Sequence, residues 1–283
     1  MCIIIGKYFP DIGWVALKNR DRNYVPEISF KKKMKDGMEI LYFWDDITQY
    51  CEGLNSSGIG ILSASLMVMD DEKEIDTRAK TPSKDGIKIK KALTFSTLKE
   101  VVDSLVKQKL PGNTLIFDKN TMVLLEGAWE PGEYKNKKYD HVLKVIPKDE
   151  IIVRTNHGVL LDWAGYQRKK DDKSQTLSRI SSESRKEIAE QVAKESKTPD
   201  AILDGLIHDF MHNGQLNPVR TTNARKKMRT TAQLLIIPSE LTMKIRPVQS
   251  KLIVDLWDLN KQNSKTWVEI LSNRIFFENL KSS

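Results

Sequence analysis

The chain has 283 residues, 40% of them hydrophobic and 30% charged, which suits one globular domain with material for a sizeable core. No apolar run approaches the roughly 20 residues a membrane-crossing helix needs, the N-terminus has no secretory pattern, and two cysteines, Cys2 and Cys51, fit a reducing compartment, so a cytoplasmic location is expected. The net charge of +8 and pI near 9.2 draw on Lys31-Lys32-Lys33, Arg168-Lys169-Lys170 and Arg225-Lys226-Lys227, which read as solvated loops or, alternatively, as attracting an anionic substrate or nucleic acid, though no aromatic stacking motif accompanies them.

In chain order, the first third reads as β. Apolar runs at Cys2–Phe9, Trp14–Leu17, Met38–Trp44 and Ile59–Leu66 alternate with turn chemistry, the first turn being Phe9-Pro10-Asp11-Ile12-Gly13. A charged stretch near 70–91, with Pro82 and Gly86, reads as a surface insertion. Ser96–Lys107 has helical spacing with Ser96 or Thr97 as its cap. Strands resume at Thr114–Phe117, Met122–Glu126, Val142–Val145 and Ile151–Arg154. Helices follow at Ser182–Lys194 and Pro199–Met211, then a hairpin of Ala232–Ile237 and Thr242–Ile245, and a C-terminal amphipathic helix at 267–280. Strands fall in blocks with helices between the blocks, which argues for antiparallel sheets with helices layered outside, an α+β class.

Chemistry concentrates at strand ends. Cys2 follows the initiator Met1; once Met1 is removed, one residue carries a thiol nucleophile and an α-amine that can act as its base. The first hairpin returns Lys18-Asn19-Arg20-Asp21 to Cys2, where Arg20 favours a thiolate and Asp21 orients the amine. Asn55, in the Gly-rich run Glu52–Gly60, and Asn156, in Arg154-Thr155-Asn156-His157, are candidate oxyanion donors, and His157 a candidate cleft residue. Each asparagine also reads as an ordinary turn residue. The pair His208 and His212 has i, i+4 spacing but lacks the Glu of a zinc-protease helix and a third ligand, so no metal is expected. There is no phosphate loop, dinucleotide fingerprint or serine elbow, and no cofactor is expected.

The ordered set of Cys2, Arg20-Asp21, the Asn55 loop and Thr155-Asn156-His157 resembles the choloylglycine hydrolase and penicillin acylase-like branch of the N-terminal nucleophile hydrolases. The resemblance covers the chain from Cys2 to about Ile245. It implies a single domain over 1–283 with a four-layer αββα sandwich of two antiparallel sheets, and cleavage or acyl transfer at a non-peptide amide of a small molecule. It assigns Cys2 as nucleophile, Asp21 as the amine's partner, Asn156 and Asn55 as oxyanion donors, and Arg220 as a further site arginine, with Arg225 and Arg229 as rivals. Where that family commonly has Arg-Asn-x-Asp, this chain has Lys18-Asn19-Arg20-Asp21. The start of the chain is also similar to NRDE-type proteins, which keeps open a second function, an inactive binder or carrier of small molecules. A basic nucleic-acid-associated protein is the third alternative. Lys18, Arg20, Arg154 and Arg220 near strand ends suggest an anionic substrate, while homo-oligomerisation stays open.

Overall fold

The computed structural model describes residues 2–22, 24, 26–66, 84–130, 138–166, 177–206, 229–247, 251–256 and 276–279. Two sheets lie face to face. The first contains β1 (Cys2–Phe9), β2 (Gly13–Arg22), β10 (Ile152–Arg154), β11 (Arg229–Ile237), β12 (Thr242–Pro247) and β14 (Phe276–Asn279), in the order β10-β1-β2-β11-β12-β14. The second contains β3 (Glu27–Lys35), β4 (Met38–Asp45), β5 (Cys51–Asn55), β6 (Gly60–Ala64), β7 (Gly112–Phe117), β8 (Met122–Trp129), β9 (Tyr139–Val145) and β13 (Lys251–Leu256). Its order is β13-β3-β4-β5-β6-β7-β8-β9. All pairings are antiparallel except β13 on β3, so the second sheet departs from the purely antiparallel expectation at one edge.

Three apolar clusters define the layers. Ile4, Trp14, Ala16, Phe30, Phe43, Leu62, Leu115 and Leu234 fill the space between the sheets. Ile3, Ile5, Val15 and Leu17, which alternate with that set, face outward onto α3 (Leu177–Glu195) and α4 (Pro199–Gly205) through Ala189, Val192, Ile202 and Leu203. The outer face of the second sheet, with Ile40, Tyr42, Ile61 and Ile116, packs on Ile89, Val101 and Leu105 of α1 (Lys84–Ala92) and α2 (Leu98–Lys107). This is an αββα sandwich. The outward set of β1 and β2 is apolar because a helix covers it, so these strands read as continuous hydrophobic runs. No helix among the described residues is long and apolar enough to cross a membrane.

The first hairpin closes at Gly13, whose φ of +80° is a region open to glycine without strain. Its register pairs Cys2 with Arg20, Ile4 with Lys18 and Phe9 with Gly13. Thr97 caps α2 in a capping box with Glu100.

Four expectations need correction. Residues 84–91 of the supposed insertion form most of α1, while 67–83 lie outside the described residues. Lys31-Lys32-Lys33 sits within β3, not in a loop, with Lys32 paired to Glu39 at 3.1 Å. Glu52–Asn55, the start of the turn-rich run Glu52–Gly60, belongs to strand β5 and not to a loop. Phe276–Asn279, expected in a terminal helix, is strand β14 against β12, and 267–275 lie outside the described residues.

Candidate active site

β2 sorts its polar end by parity. Lys18, Arg20 and Arg22 point between the sheets with Cys2, whereas Asn19 and Asp21 point toward the helices. Lys18 Nζ ion-pairs with Glu52, donates to the Ser63 carbonyl at 2.6 Å and lies 5.1 Å from the Tyr50 ring centroid. Arg20 ion-pairs with Asp45 and stacks over Phe43. Asp45 also accepts the Tyr24 hydroxyl at 2.6 Å. Burial would raise the Asp45 carboxyl, but Arg20, Arg22 and Tyr24 hold it well below the usual carboxylate range.

Arg22 approaches the nucleophile itself. Its Nη1 donates to the Asp21 carbonyl at 2.8 Å and lies 3.5 Å from Cys2 Sγ. Burial would raise the Cys2 thiol, yet Lys18, Arg22, the N-terminal ammonium and the Asp21 backbone N–H together bring it well below the ordinary thiol value. Cys51 is pushed up by burial and by Glu52, against a smaller opposing pull from Lys90. The two cysteines are therefore chemically unlike, and only Cys2 has the surroundings of a nucleophile.

Asn156, just past β10, meets the other end of Cys2. Its Oδ1 accepts from the Cys2 nitrogen at 2.7 Å, and its Nδ2 donates to the Ser65 carbonyl at 2.6 Å. The backbone behind it is fixed by α3. Asn156 N donates to Ser182 Oγ at 3.1 Å, and Thr155 Oγ1 donates to the Ser182 carbonyl at 3.0 Å. His157 Nδ1 lies 3.0 Å from both Thr155 Oγ1 and Ser182 Oγ. Burial, with Arg179 and Lys186 nearby, lowers His157 to about 3, so it is neutral at pH 7 and braces the turn.

Asp21, on the helix face of β2, accepts from Thr230 Oγ1 at 2.7 Å and faces Arg185 of α3 at 3.6 Å. A bulge between Thr230 and Ala232 of β11 sits opposite this point, and such a bulge re-aims side chains. Burial raises the Asp21 carboxyl to about 6 against the pull of Arg185 and Thr230. Asp21 thus contributes stability that is fully present below the unfolded value of about 3.9 and lost as pH rises through about 6. His157 has the opposite sign: its contribution is present above about 6.5 and is lost as pH falls toward about 3. The two offset each other between pH 6 and 4. Asp21→Asn is expected to uncover the His157 slope, losing about 2–3 kcal/mol more than wild type over that window. Urea midpoints at pH 4, 5 and 6 check this; parallel curves for the two proteins would refute it.

The other expected site residues are placed as follows. Arg20 lies opposite Cys2 in register but is committed to Asp45, so Arg22 takes the thiol-facing place assigned to Arg20. Asn55 donates both amide hydrogens, to the Leu93 carbonyl at 3.0 Å and the Phe95 carbonyl at 2.8 Å, which leaves none for an oxyanion. It braces the loop after α1. Arg154 lies 3.7 Å from Glu126, whose Oε1 also accepts the backbone N–H groups of Val159, Leu160 and Leu161. Arg154 therefore anchors the loop after His157 instead of lining a cleft. Arg220, Arg225, His208 and His212 lie outside the described residues, as does the side chain of Arg229. Arg22, Glu52, Asp45, Ser182 and Arg185 were not singled out from sequence. The parity of Lys18 and Arg20 could have flagged Arg22; nothing local marks the others.

A two-sheet sandwich between helix layers, with a cysteine at the start of β1 and an asparagine on its nitrogen, is the layering implied by the resemblance to N-terminal nucleophile hydrolases. Among solved structures, the chain is similar to a penicillin V acylase from Agrobacterium tumefaciens, at 10% identity over 87% of this chain and 83% of that one, with a TM-score of 0.43. It is also similar to a mutant conjugated bile acid hydrolase from Clostridium perfringens, at 14% identity over 99% and 97%, with a TM-score of 0.47. No family model matches the chain, and no curated protein matches it.

Proposed function

We propose that this protein is a cysteine N-terminal nucleophile amidohydrolase acting on a non-peptide amide of a small molecule through a Cys2 acyl-enzyme. The observation that carries the reading is the double hold on one residue: Asn156 on the Cys2 nitrogen at 2.7 Å and Arg22 beside its sulfur at 3.5 Å. After removal of Met1 that nitrogen becomes an α-amine. The α-amine takes the thiol proton and becomes an ammonium; sulfur attacks the amide carbon, a C–S bond forms, and the carbonyl electrons move to oxygen. Asn156, which spends one amide hydrogen on the Ser65 carbonyl, has the other to donate to that oxygen. The α-ammonium gives its proton to the leaving nitrogen as the C–N bond breaks. Water then attacks the thioester with the amine as base, releasing the acid and regenerating Cys2; an acceptor amine in place of water gives acyl transfer.

Substrate charge enters through Arg22. Lys18, Arg20 and Arg154 are occupied by Glu52, Asp45 and Glu126, whereas the Arg22 side chain keeps 14% exposure at the edge of the cluster. A carboxylate near the scissile amide fits that edge.

The test has two parts. The mass of protein made in cells should show Met1 absent. A panel of small amides, each as free acid and methyl ester, should include at least one turned over, with the acid preferred at low salt and the preference shrinking as salt rises. Retained Met1, or no turnover by protein that has lost it, would sink the reading.

A further inference from the structure

Among the described residues, the charges packed within the sandwich leave one cation over. Eight buried charged residues sort into four couples: Lys18 with Glu52, Arg20 with Asp45, Arg154 with Glu126 and Arg185 with Asp21. Among the described residues, Arg22 is the cation outside these couples. Its nearest carboxylate, Asp45, lies 3.8 Å away and is already held by Arg20 and the Tyr24 hydroxyl. Its closer neighbour is Cys2 Sγ at 3.5 Å. On the face between the sheets, Lys18, Arg20 and Arg22 stand against Asp45 and Glu52, three cations to two carboxylates among the described residues. A buried charge without a counter-charge is costly, and a negative charge on sulfur supplies the one these side chains lack.

We propose that Cys2 rests as a thiolate with Arg22 as its counter-ion, and that Glu52 limits this ionisation by neutralising Lys18. Arg22 is then a catalytic residue, because it touches the reacting sulfur, and Glu52 is a positioning residue that acts through Lys18. The inference builds on the hydrolase reading and changes one step of it. The thiol proton has left before substrate arrives, so the α-amine does not deprotonate the thiol. It stays an ammonium and serves first as the acid that protonates the departing nitrogen. That α-ammonium adds a further cation beside the sulfur and favours its anion in the same direction. The side chains around the sulfur come from several elements. β2 supplies Lys18, Arg20 and Arg22, the segment after it Tyr24, the end of β4 Asp45, the approach to β5 Tyr50, and β5 Glu52. The turn after β10 brings Asn156, which is uncharged. Asp21 and Arg185 face one another on the helix side.

The geometry makes an opposite-sign prediction. Arg22→Gln removes the counter-ion and should raise the Cys2 thiol pKa by about 1–3 units, with Arg22→Lys restoring part of the shift. Glu52→Gln leaves Lys18 uncompensated and should move the same pKa down. Each is read as the pH dependence of iodoacetamide alkylation at Cys2, resolved by peptide mass. A general loosening of the fold would expose Cys2 and drive both variants toward the free-thiol value of about 8.5. Shifts of opposite sign therefore support the proposal, and an unchanged pKa in Arg22→Gln or same-sign shifts overturn it. Should Glu52→Gln fail to fold, the Arg22→Gln and Arg22→Lys pair decides alone, since position 22 lies at the edge of the cluster. The alkylation needs no amide substrate. Opposite shifts in a protein that turns over no amide would keep this inference and discard the hydrolase. Turnover with a thiol that ignores Arg22 would do the reverse.

Discussion

Cys2→Ala is expected to abolish amide turnover and to remove labelling by thiol electrophiles, while Cys51→Ala leaves both within about twofold of wild type. The two residues differ in surroundings, not in accessibility, since both are buried. Cys2 sits among Lys18, Arg22 and the Asp21 N–H, which favour its anion. Cys51 lies in the apolar layer under α1 and α2 beside Glu52, which disfavours its anion. Cys2→Ser keeps an oxygen nucleophile but loses an ionisable thiol, so turnover should survive only at a trace level. The measurement is kcat/KM for the best amide of the panel, with intact-protein mass after electrophile treatment. Labelling that persists in Cys2→Ala, or equal labelling of both cysteines in wild type, would remove Cys2 from the mechanism.

Asn156→Ala is expected to lower kcat about 10²–10³-fold, with a much smaller change in KM, because an oxyanion contact is made chiefly in the transition state. The residue has two functions, and a second variant separates them. Asn156→Asp keeps an oxygen to accept from the Cys2 nitrogen but has no amide hydrogen to donate and adds negative charge where the oxyanion develops. If donation matters most, Asp is as poor as Ala or worse. If holding the nitrogen matters most, Asp recovers activity. Both variants keep the Ser182 bond to the backbone N–H of residue 156 but lose the side-chain bond to the Ser65 carbonyl, so urea midpoints are compared alongside the kinetics. A loss confined to KM would make Asn156 a substrate-binding residue.

Much of the fold was legible because its signals are local. The first hairpin carries its apolar runs and its Gly13 turn within a short stretch, and α2 carries its cap and its spacing. What was illegible depended on partners far away in the chain. The three lysines of β3 hide a strand whose place is set by β4 on one side and β13 on the other. The run Phe276–Asn279 suits either a helix or a strand by its own spacing, and pairing with β12 decides for the strand. The site divides in the same way. Cys2, Asp21 and Asn156 announce themselves as polar residues at the ends of apolar strands. Ser182 and Arg185 lie in the middle of a charged helix, where nothing local separates them from solvated neighbours. Asn55 misled because a strand-end asparagine that braces a loop has the same sequence signature as one that donates to a substrate.

The alternation along β2 makes the nucleophile's environment a matter of odd and even. An insertion or deletion of one residue between the Gly13 turn and Lys18 would rotate the strand's far end by half a turn relative to its neighbours. Asn19 and Asp21 would then face the sulfur, and the three cations would be driven into the apolar contact with α3 and α4. A change of two residues would restore every side chain to its face and shift it only along the strand axis. Tolerance to length variation in this hairpin should therefore come in steps of two, a constraint on divergence and on loop grafting that no single substitution would reveal.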